Sequence, residues 1–478
     1  MIGTKLVVPV ALLALAGCAT QRVEQLRDSA SGLYASRSAV SAAVAAADRG
    51  RGAPDALLKD LLARPVDADA AVQIALLRNP RVAAIYARLG FVRADLYDAF
   101  RLSNPTLGYA RLSGGAGARK VDWSLSQNFT EILFARFRKA GGESRVLLAE
   151  QQVARELLDL EADVRTSQIR YVGSRTVASM RDRIARSTQV AANYAQQLFD
   201  AGNITALQLA RMREAEDLAR TEMLRAHAAE TADRNALLTL LGAGSDESID
   251  LVGEFLPPMA DIPDGGKLRE VALGNRLDLM SAREALRFAS VANRHARRWR
   301  WLGETTIGMG VEQDGGNRAV ASATIAGPGA SLSLPLFNQG DGSAGRAQAT
   351  VDVLAADVHA LELAIGNEVA TRLATLAAAR EAVTIYRDQL LPVQRTIVDE
   401  SQKQQNYMLI GTIELLAAKQ HQYEGYQAYV DALRDYWSAY VGLMRATGGR
   451  FPGLAGRTDR ATAIEPLAAI EMIPGAHP

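Results

Sequence analysis

The chain has 478 residues, with 54 basic against 53 acidic side chains, a balance that gives no electrostatic case for nucleic acid as a partner. Only 6% of residues are aromatic and alanine is abundant, which favours long helices with closely approaching neighbours over a typical soluble enzyme. A single cysteine excludes an intramolecular disulfide.

The N-terminal "MIGTKLVVPVALLALAGCAT" places Lys5 before an apolar run from Leu6 to Leu15 and small residues before that cysteine, the layout of a secretory signal peptide. Leu15-Ala16-Gly17-Cys18 resembles the bacterial lipobox. The resemblance implies removal of residues 1–17, a covalent lipid on Cys18 and, with Ala19 following, delivery to the outer membrane of a Gram-negative cell. A lipidated Cys18 is not available as a nucleophile. Residues 18–65 read as an N-terminal periplasmic segment, polar and Ala-rich, with "DRGRGAPD" as a loop between helical pieces.

From Val66 the apolar residues take helical spacing, with Asn79-Pro80 as the joint between two helices, because proline suits a first helical turn and disfavours helix before it. Asn104-Pro105 stops the second helix. Two alternating segments follow, over about 105–113 and 120–130, joined by the glycine-rich "SGGAGAR". In the second segment Val121, Trp123, Leu125 and Phe129 form one face, and Asp122, Ser124, Ser126 and Asn128 the other. Between Arg136 and Gly242 there is no proline, and Val146, Val153, Leu157, Leu160 and Val164 keep the three-four spacing of a coiled-coil seam. A helix over about 142–200 is expected, about 85–90 Å long by its rise, with a turn at Gly202.

The second half repeats these landmarks. Asn79 is matched by Asn275, Phe129 by Phe337, Gly202 by Gly411 and Gly242 by Gly448, an internal duplication. The repeats span 66–242 and 267–449, separated by a Pro- and Gly-rich linker over 243–266 and followed by a flexible tail over 450–478. Second-repeat strands are expected at about 304–313 and 319–337, then a helical run from about Gly345 to Leu390. In the final helix Leu416, Tyr423, Val430, Trp437 and Met444 recur every seven residues. Gly340, Gly342 and Gly345 have the G-x-G-x-x-G spacing of a dinucleotide loop, but no strand follows for about a hundred residues, which rules out the βαβ unit that gives the motif its mechanism.

"SLSLPLFNQGDGSAGRAQA" (331–349) resembles the "P-L-F-x-x-G-x-x-x-A" corner of TolC-like outer-membrane efflux proteins, and "YMLIGTIELLAAKQ" (407–420) resembles their second helical tip. With the lipobox and the duplicated plan, the resemblance covers roughly 66–449. It implies a mainly α fold with a small membrane β-barrel portion: long coiled-coil helices form an α-barrel, and each chain of a homotrimer gives four strands to a twelve-stranded barrel. It also implies a passive channel working with a periplasmic adaptor and an inner-membrane efflux pump. "ARPVDADAAVQIALLRNP" and the lipobox also resemble channels of heavy-metal efflux systems, and whether drug or metal is exported stays open. The chain departs from the pattern at Asn275-Arg276-Leu277-Asp278, which lacks the expected proline, and at Gln127-Asn128-Phe129.

The resemblance further implies a strand-helix corner at Pro335, Phe337 and Gly340, and a periplasmic gate at the turns of Gly202 and Gly411, with Glu414 nearest the position of an acidic ring and Ala417 where a second acid often stands. An equal alternative makes Glu414 a helix-start carboxylate favoured by the helix dipole. Independently, four strands of about ten residues are long enough to cross a bilayer but too few to close a barrel, so the missing neighbours must come from other copies. The rival readings are a structural coiled-coil lipoprotein and an envelope enzyme. His227, His295, His359, His421 and His477 are scattered, no metal or nucleophile-elbow motif is present, and Glu156, Asp159 and Asp163 read as solvated faces. No catalytic residue, metal site or cofactor beyond the lipid is expected.

Overall fold

The computed structural model describes residues 23–38, 40, 53–113, 119–252, 255, 264–315 and 323–449. Cys18 and the signal peptide, both hairpin loops, part of the linker and the tail from 450 lie outside the described residues. In chain order the elements are α1 (Val23–Ala35), α2 (Ala53–Leu62), α3 (Ala68–Arg78), α4 (Pro80–Phe100), β1 (Thr106–Ser113), β2 (Arg119–Asn128), a one-turn α5 (Phe129–Leu133), α6 (Ala135–Asp200) and α7 (Ala206–Leu241). The second half gives α8 (Gly265–Asn275), α9 (Leu277–Trp299), β3 (Thr305–Gly315), β4 (Ala323–Leu332), α10 (Asp341–Ile385), a π-helical turn (Tyr386–Leu390), α11 (Leu391–Asn406) and α12 (Thr412–Ala446).

Local chemistry accounts for the boundaries. Asp67 caps α3 by accepting from the N–H of Ala70 at 2.8 Å, and Asn128 ends β2 by capping α5 through the N–H of Glu131 at 3.2 Å. That cap corrects the expected strand end near 130 and removes Phe129 from the strand face. Helix α6 begins at Ala135, ahead of the expected 142, and runs through Gly141 and Gly142, which lie against Phe288 and Leu96, where a β-carbon would have little room. The expected end of the second long helix at Leu390 is also corrected. Pro392 leaves the carbonyl four residues earlier without a donor, and the π-helical turn absorbs the defect so that helix continues to Asn406.

The duplication is present in the backbone, with an offset that grows along the repeat. Helices α3 and α8 start at 68 and 265, 197 residues apart; β1 and β3 start at 106 and 305, 199 apart; α6 and α10 start at 135 and 341, 206 apart. The joints match to a degree. Asn79 has φ −66 and ψ 122, and Arg276 has φ −66 and ψ 121, so the true counterpart of Asn79 is Arg276 rather than Asn275. Asn79 Nδ2 donates to the carbonyl of Leu240 at 2.7 Å, and Arg276 Nη1 to that of Ala446 at 3.3 Å. The joint therefore forms without the missing proline.

The chain divides into two compact units. Of the described residues, one holds those up to Ala30 with Ile85–Val153 and Leu277–Glu362; the other holds those of Ser31–Ala84, Ala154–Arg276 and 363–449. The second unit buries Leu157, Leu160 and Val164 of the expected α6 seam together with Leu237, Leu238, Leu241, Leu433 and Tyr436. The most buried row of α12 is Tyr426, Tyr429, Leu433, Tyr436 and Leu443, whereas only Val430 of the expected heptad stripe is fully buried. A buried Glu161 accepts from Tyr34 at 2.8 Å, Ser38 at 2.7 Å and Arg165 at 3.1 Å, and Arg165 reaches Asp69 at 2.8 Å. Burial, then the Glu161 charge, push the Tyr34 phenol well above its ordinary range. This network ties the end of α1 to α6.

Candidate functional site

The four strands form one antiparallel sheet in the order β1-β2-β3-β4, leaving β1 and β4 at the edges. Pairing partners share a face, and the register sorts the residue types. Leu107, Leu125, Met309 and Pro328 make one row, and Tyr109, Trp123, Val311 and Ala326 the next, with the Tyr109 and Trp123 rings 4.7 Å apart. The opposite face carries Gly108, Ser124, Gly310 and Gly327, then Thr106, Ser126, Gly308 and Gly329. Further along that face Lys120 reaches Glu312 at 2.7 Å. Leu107, Leu125, Met309 and Trp123 are all exposed in the single chain, so the apolar face has nothing against it within the described residues.

Strand β4 ends at Leu332, not near 337 as expected. Beyond it Leu336 N–H bonds back to the carbonyl of Leu334 at 2.9 Å, a tight turn around Pro335 that breaks the ladder. Phe337 is fully exposed. Gly340 has φ 76, and its carbonyl accepts from the N–H of Ala344 at 3.0 Å as α10 begins. Gly342 and Gly345 lie inside that helix. Of the three spaced glycines, only Gly340 performs a turn that requires glycine.

The two helical turns are superimposable in their bonding but not at the residues the sequence paired. After α6, Gly202 is left-handed (φ 74), and Asn203 N–H bonds to Leu198 O at 2.8 Å; after α11, Met408 is left-handed (φ 59), and Leu409 N–H bonds to Gln404 O at 2.9 Å. Gly411 has φ −81 and ψ 159, matching the cap Thr205 at φ −82 and ψ 158. The counterpart of Gly202 is therefore Met408, and that of Gly411 is Thr205. Both turns lie close together: Ile204 and Leu416 pack on one cluster of Ala192, Ala195, Leu209 and Met212. Tyr407, Met408 and Leu409 project from the second turn, largely exposed.

Glu414 is exposed, and its carboxylate accepts from the N–H of Gly411 at 3.2 Å. Gln208 makes the equivalent bond to the Thr205 N–H at 2.8 Å, where the Thr205 hydroxyl completes the cap that Gly411 lacks. Glu414 thus has a local capping function. Elsewhere Asp159 pairs with Arg445 at 2.8 Å and Asp163 with Arg81 at 3.8 Å. Among the described residues no cluster of three or more His, Cys, Asp or Glu has a metal-binding arrangement, and no helix is long and apolar enough to cross a membrane.

No protein-family model and no curated protein matches the sequence. Among solved structures, the outer membrane protein VceC of Vibrio cholerae matches with a TM-score of 0.65 and 15% identity, over 80% of this chain and 97% of that one. The outer-membrane channel OprN matches with a TM-score of 0.65 and 17% identity, over 83% and 91% of the two chains. The CmeC outer membrane channel of Campylobacter jejuni gives 0.65 and 14%, over 80% and 86%. The chain shares the fold of these outer-membrane channels, a mostly helical, duplicated plan with one small antiparallel sheet.

Proposed function

We propose that the chain is the outer-membrane channel subunit of a tripartite efflux system, passively conducting what an inner-membrane pump and a periplasmic adaptor deliver. The observation that carries this reading is the sheet: four strands of eight to eleven residues, apolar on one face and Gly/Ser-rich on the other, with both edges unpaired. Strands of that length suit a tilted passage through hydrocarbon, and unpaired edges are not tolerated there, so β4 of one copy pairs with β1 of the next. Three copies close a twelve-stranded barrel; the number follows the likeness to known channels. The lipid on Cys18 supplements the barrel as an anchor. A structural lipoprotein would have no use for a sheet sorted in this way, and an envelope enzyme would need a catalytic cluster.

The turns at Gly202 and Met408, with Gly411 and Glu414, form the periplasmic mouth in this reading, and Pro335, Phe337 and Gly340 form the corner where strand passes to tunnel helix. The test is labelling of single cysteines at Trp123, Ser124, Leu125 and Ser126 in a bilayer. Lipid contact at Trp123 and Leu125 alternating with water contact at Ser124 and Ser126 is expected. Uniform water exposure overturns the barrel.

A further inference from the structure

The end of α9 and the connection to β3 read Arg297-Arg298-Trp299-Arg300-Trp301, with Trp299 and Trp301 exposed. Arg297 and Arg298 make no ion pair among the described residues, while Arg300 is held by Asp341 and lies 4.8 Å over the Trp301 ring. Phe134 meets Trp299 edge-on at 5.5 Å, which fixes that indole at the base of the sheet. From here the chain enters β3 with Ile307 and Met309 on the apolar face. Along the chain the order is therefore cationic, aromatic, apolar.

The fold does not require this composition. At the 199-residue offset of the strands, the first repeat places Asp98, Ala99, Phe100, Arg101 and Leu102 at the same points, and β1 still forms. One arginine and no tryptophan suffice to start a strand. The second repeat thus carries two additional cations and two indoles; the arginines suit the C-terminal turn of α9 and Trp299 packs on Phe134, but starting β3 requires neither the extra charge nor the exposed Trp301.

We propose that Arg297, Arg298 and Trp301 form a docking surface for anionic phospholipid headgroups of the leaflet on the helical side of the barrel, a proposal that rests on the barrel reading above. A guanidinium fork matches the two free oxygens of a phosphodiester, and an indole lies stably at the headgroup level with its ring towards the acyl chains. The charge of the cluster selects anionic over zwitterionic headgroups, about fivefold for each arginine that faces the surface.

The test uses the full-length chain in vesicles of phosphatidylcholine containing phosphatidylglycerol, with bromine placed on the acyl chains of one lipid or the other. Trp123→Phe and Trp437→Phe leave Trp299 and Trp301 as the emitters. Stronger quenching by brominated phosphatidylglycerol than by brominated phosphatidylcholine at equal mole fraction is expected. Arg297→Gln/Arg298→Gln should abolish the difference, and Arg297→Lys/Arg298→Lys should retain part of it. Equal quenching by both lipids overturns the selective site. Absence of quenching by either shows a protein surface covering the indoles and overturns it as well. A parallel measurement on Trp123, in a chain carrying Trp299→Phe, Trp301→Phe and Trp437→Phe, separates the two readings: a Trp123 that no brominated lipid quenches removes the barrel itself. Should the double glutamine variant misassemble, retention of phosphatidylglycerol over phosphatidylcholine by the unmodified chain in native mass spectrometry decides.

Discussion

Met408 carries with a side chain the left-handed conformation that Gly202 carries without one. A residue with a β-carbon pays about 1 kcal/mol there, and because Met408 is almost fully exposed, no burial offsets it. Met408→Gly should therefore raise stability by about 1 kcal/mol, read as a higher midpoint of thermal unfolding in detergent; an unchanged or lower midpoint would show that the exposed thioether has a stabilising contact in the assembled protein. His295 is the other residue whose surroundings set a testable quantity. Its ring is stacked on Phe137 at 4.1 Å and meets Phe134 edge-on at 4.5 Å, and its Nε2 is buried without a hydrogen-bond partner. Burial lowers its pKa, so the fold favours the neutral ring. Stability from this site is complete above the unfolded value near 6.5 and declines as pH falls through it towards the lower folded value. His295→Phe should flatten that acid-side loss relative to the parent when unfolding is followed between pH 8 and pH 5. An unaltered pH profile would assign the loss to other groups.

At the scale of elements, the helical turns show how much a motif can mislead by a few residues. Two glycines, Gly202 and Gly411, invited pairing by identity, yet bonding pairs Gly202 with Met408 and Thr205 with Gly411 at the same 206-residue offset as Gly242 with Gly448. That last pair was legible, because both glycines are left-handed and both seat against the helix joint, where a β-carbon would lie about 3 Å or less from the backbone of Arg78 or Arg276. In α12 the seven-residue recurrence was real, but the most buried row lies beside it, at Tyr426, Tyr429, Leu433, Tyr436 and Leu443. Glu414 gives the prediction that belongs here. A carboxylate beside the second turn, repeated by symmetry around a mouth, favours cations. Glu414→Gln should reduce cation preference in single-channel recordings, and Glu414→Lys should abolish or reverse it. Conductance and ion preference equal to the parent in the Lys variant would leave Glu414 with its capping bond alone.

For the whole molecule, the growth of the offset from 197 to 206 locates the divergence between repeats. Nothing is gained across the helix joints and nothing from the start of the long helix through its turn; two extra residues enter between the starts of α4 and β1, within the helix before the strands, and the other seven between the first strand and the long helix. Helix joints and coiled-coil seams are constrained by close packing at both ends, whereas strand hairpins tolerate added length at their tips. The anchor proposal also belongs at this scale. Cys18→Ser should leave an unprocessed precursor, visible as a heavier chain, since the signal would be cut only before a lipidated cysteine. Normal maturation of that variant would remove the anchor, although a barrel alone would still hold the protein in the membrane.

The sequence by itself determined the duplication, the two pairs of alternating strands, their sorted faces and the long helices between them, because each rests on a periodicity that the chain carries locally. Val121, Trp123 and Leu125 needed no neighbours to declare a face. The structure decided the rest: that Arg276, not Asn275, forms the second joint, that Met408 is the left-handed residue of the second turn, that a π-helical turn carries the helix past Pro392, and that Glu161 gathers Tyr34, Ser38 and Arg165. At Arg276 and Glu161 a hydrogen bond across long sequence separation fixes the residue, at Pro392 a π-helical turn in the same helix absorbs the defect, and at Met408 the turn outweighs the residue's own backbone preference; no one-dimensional pattern records these outcomes.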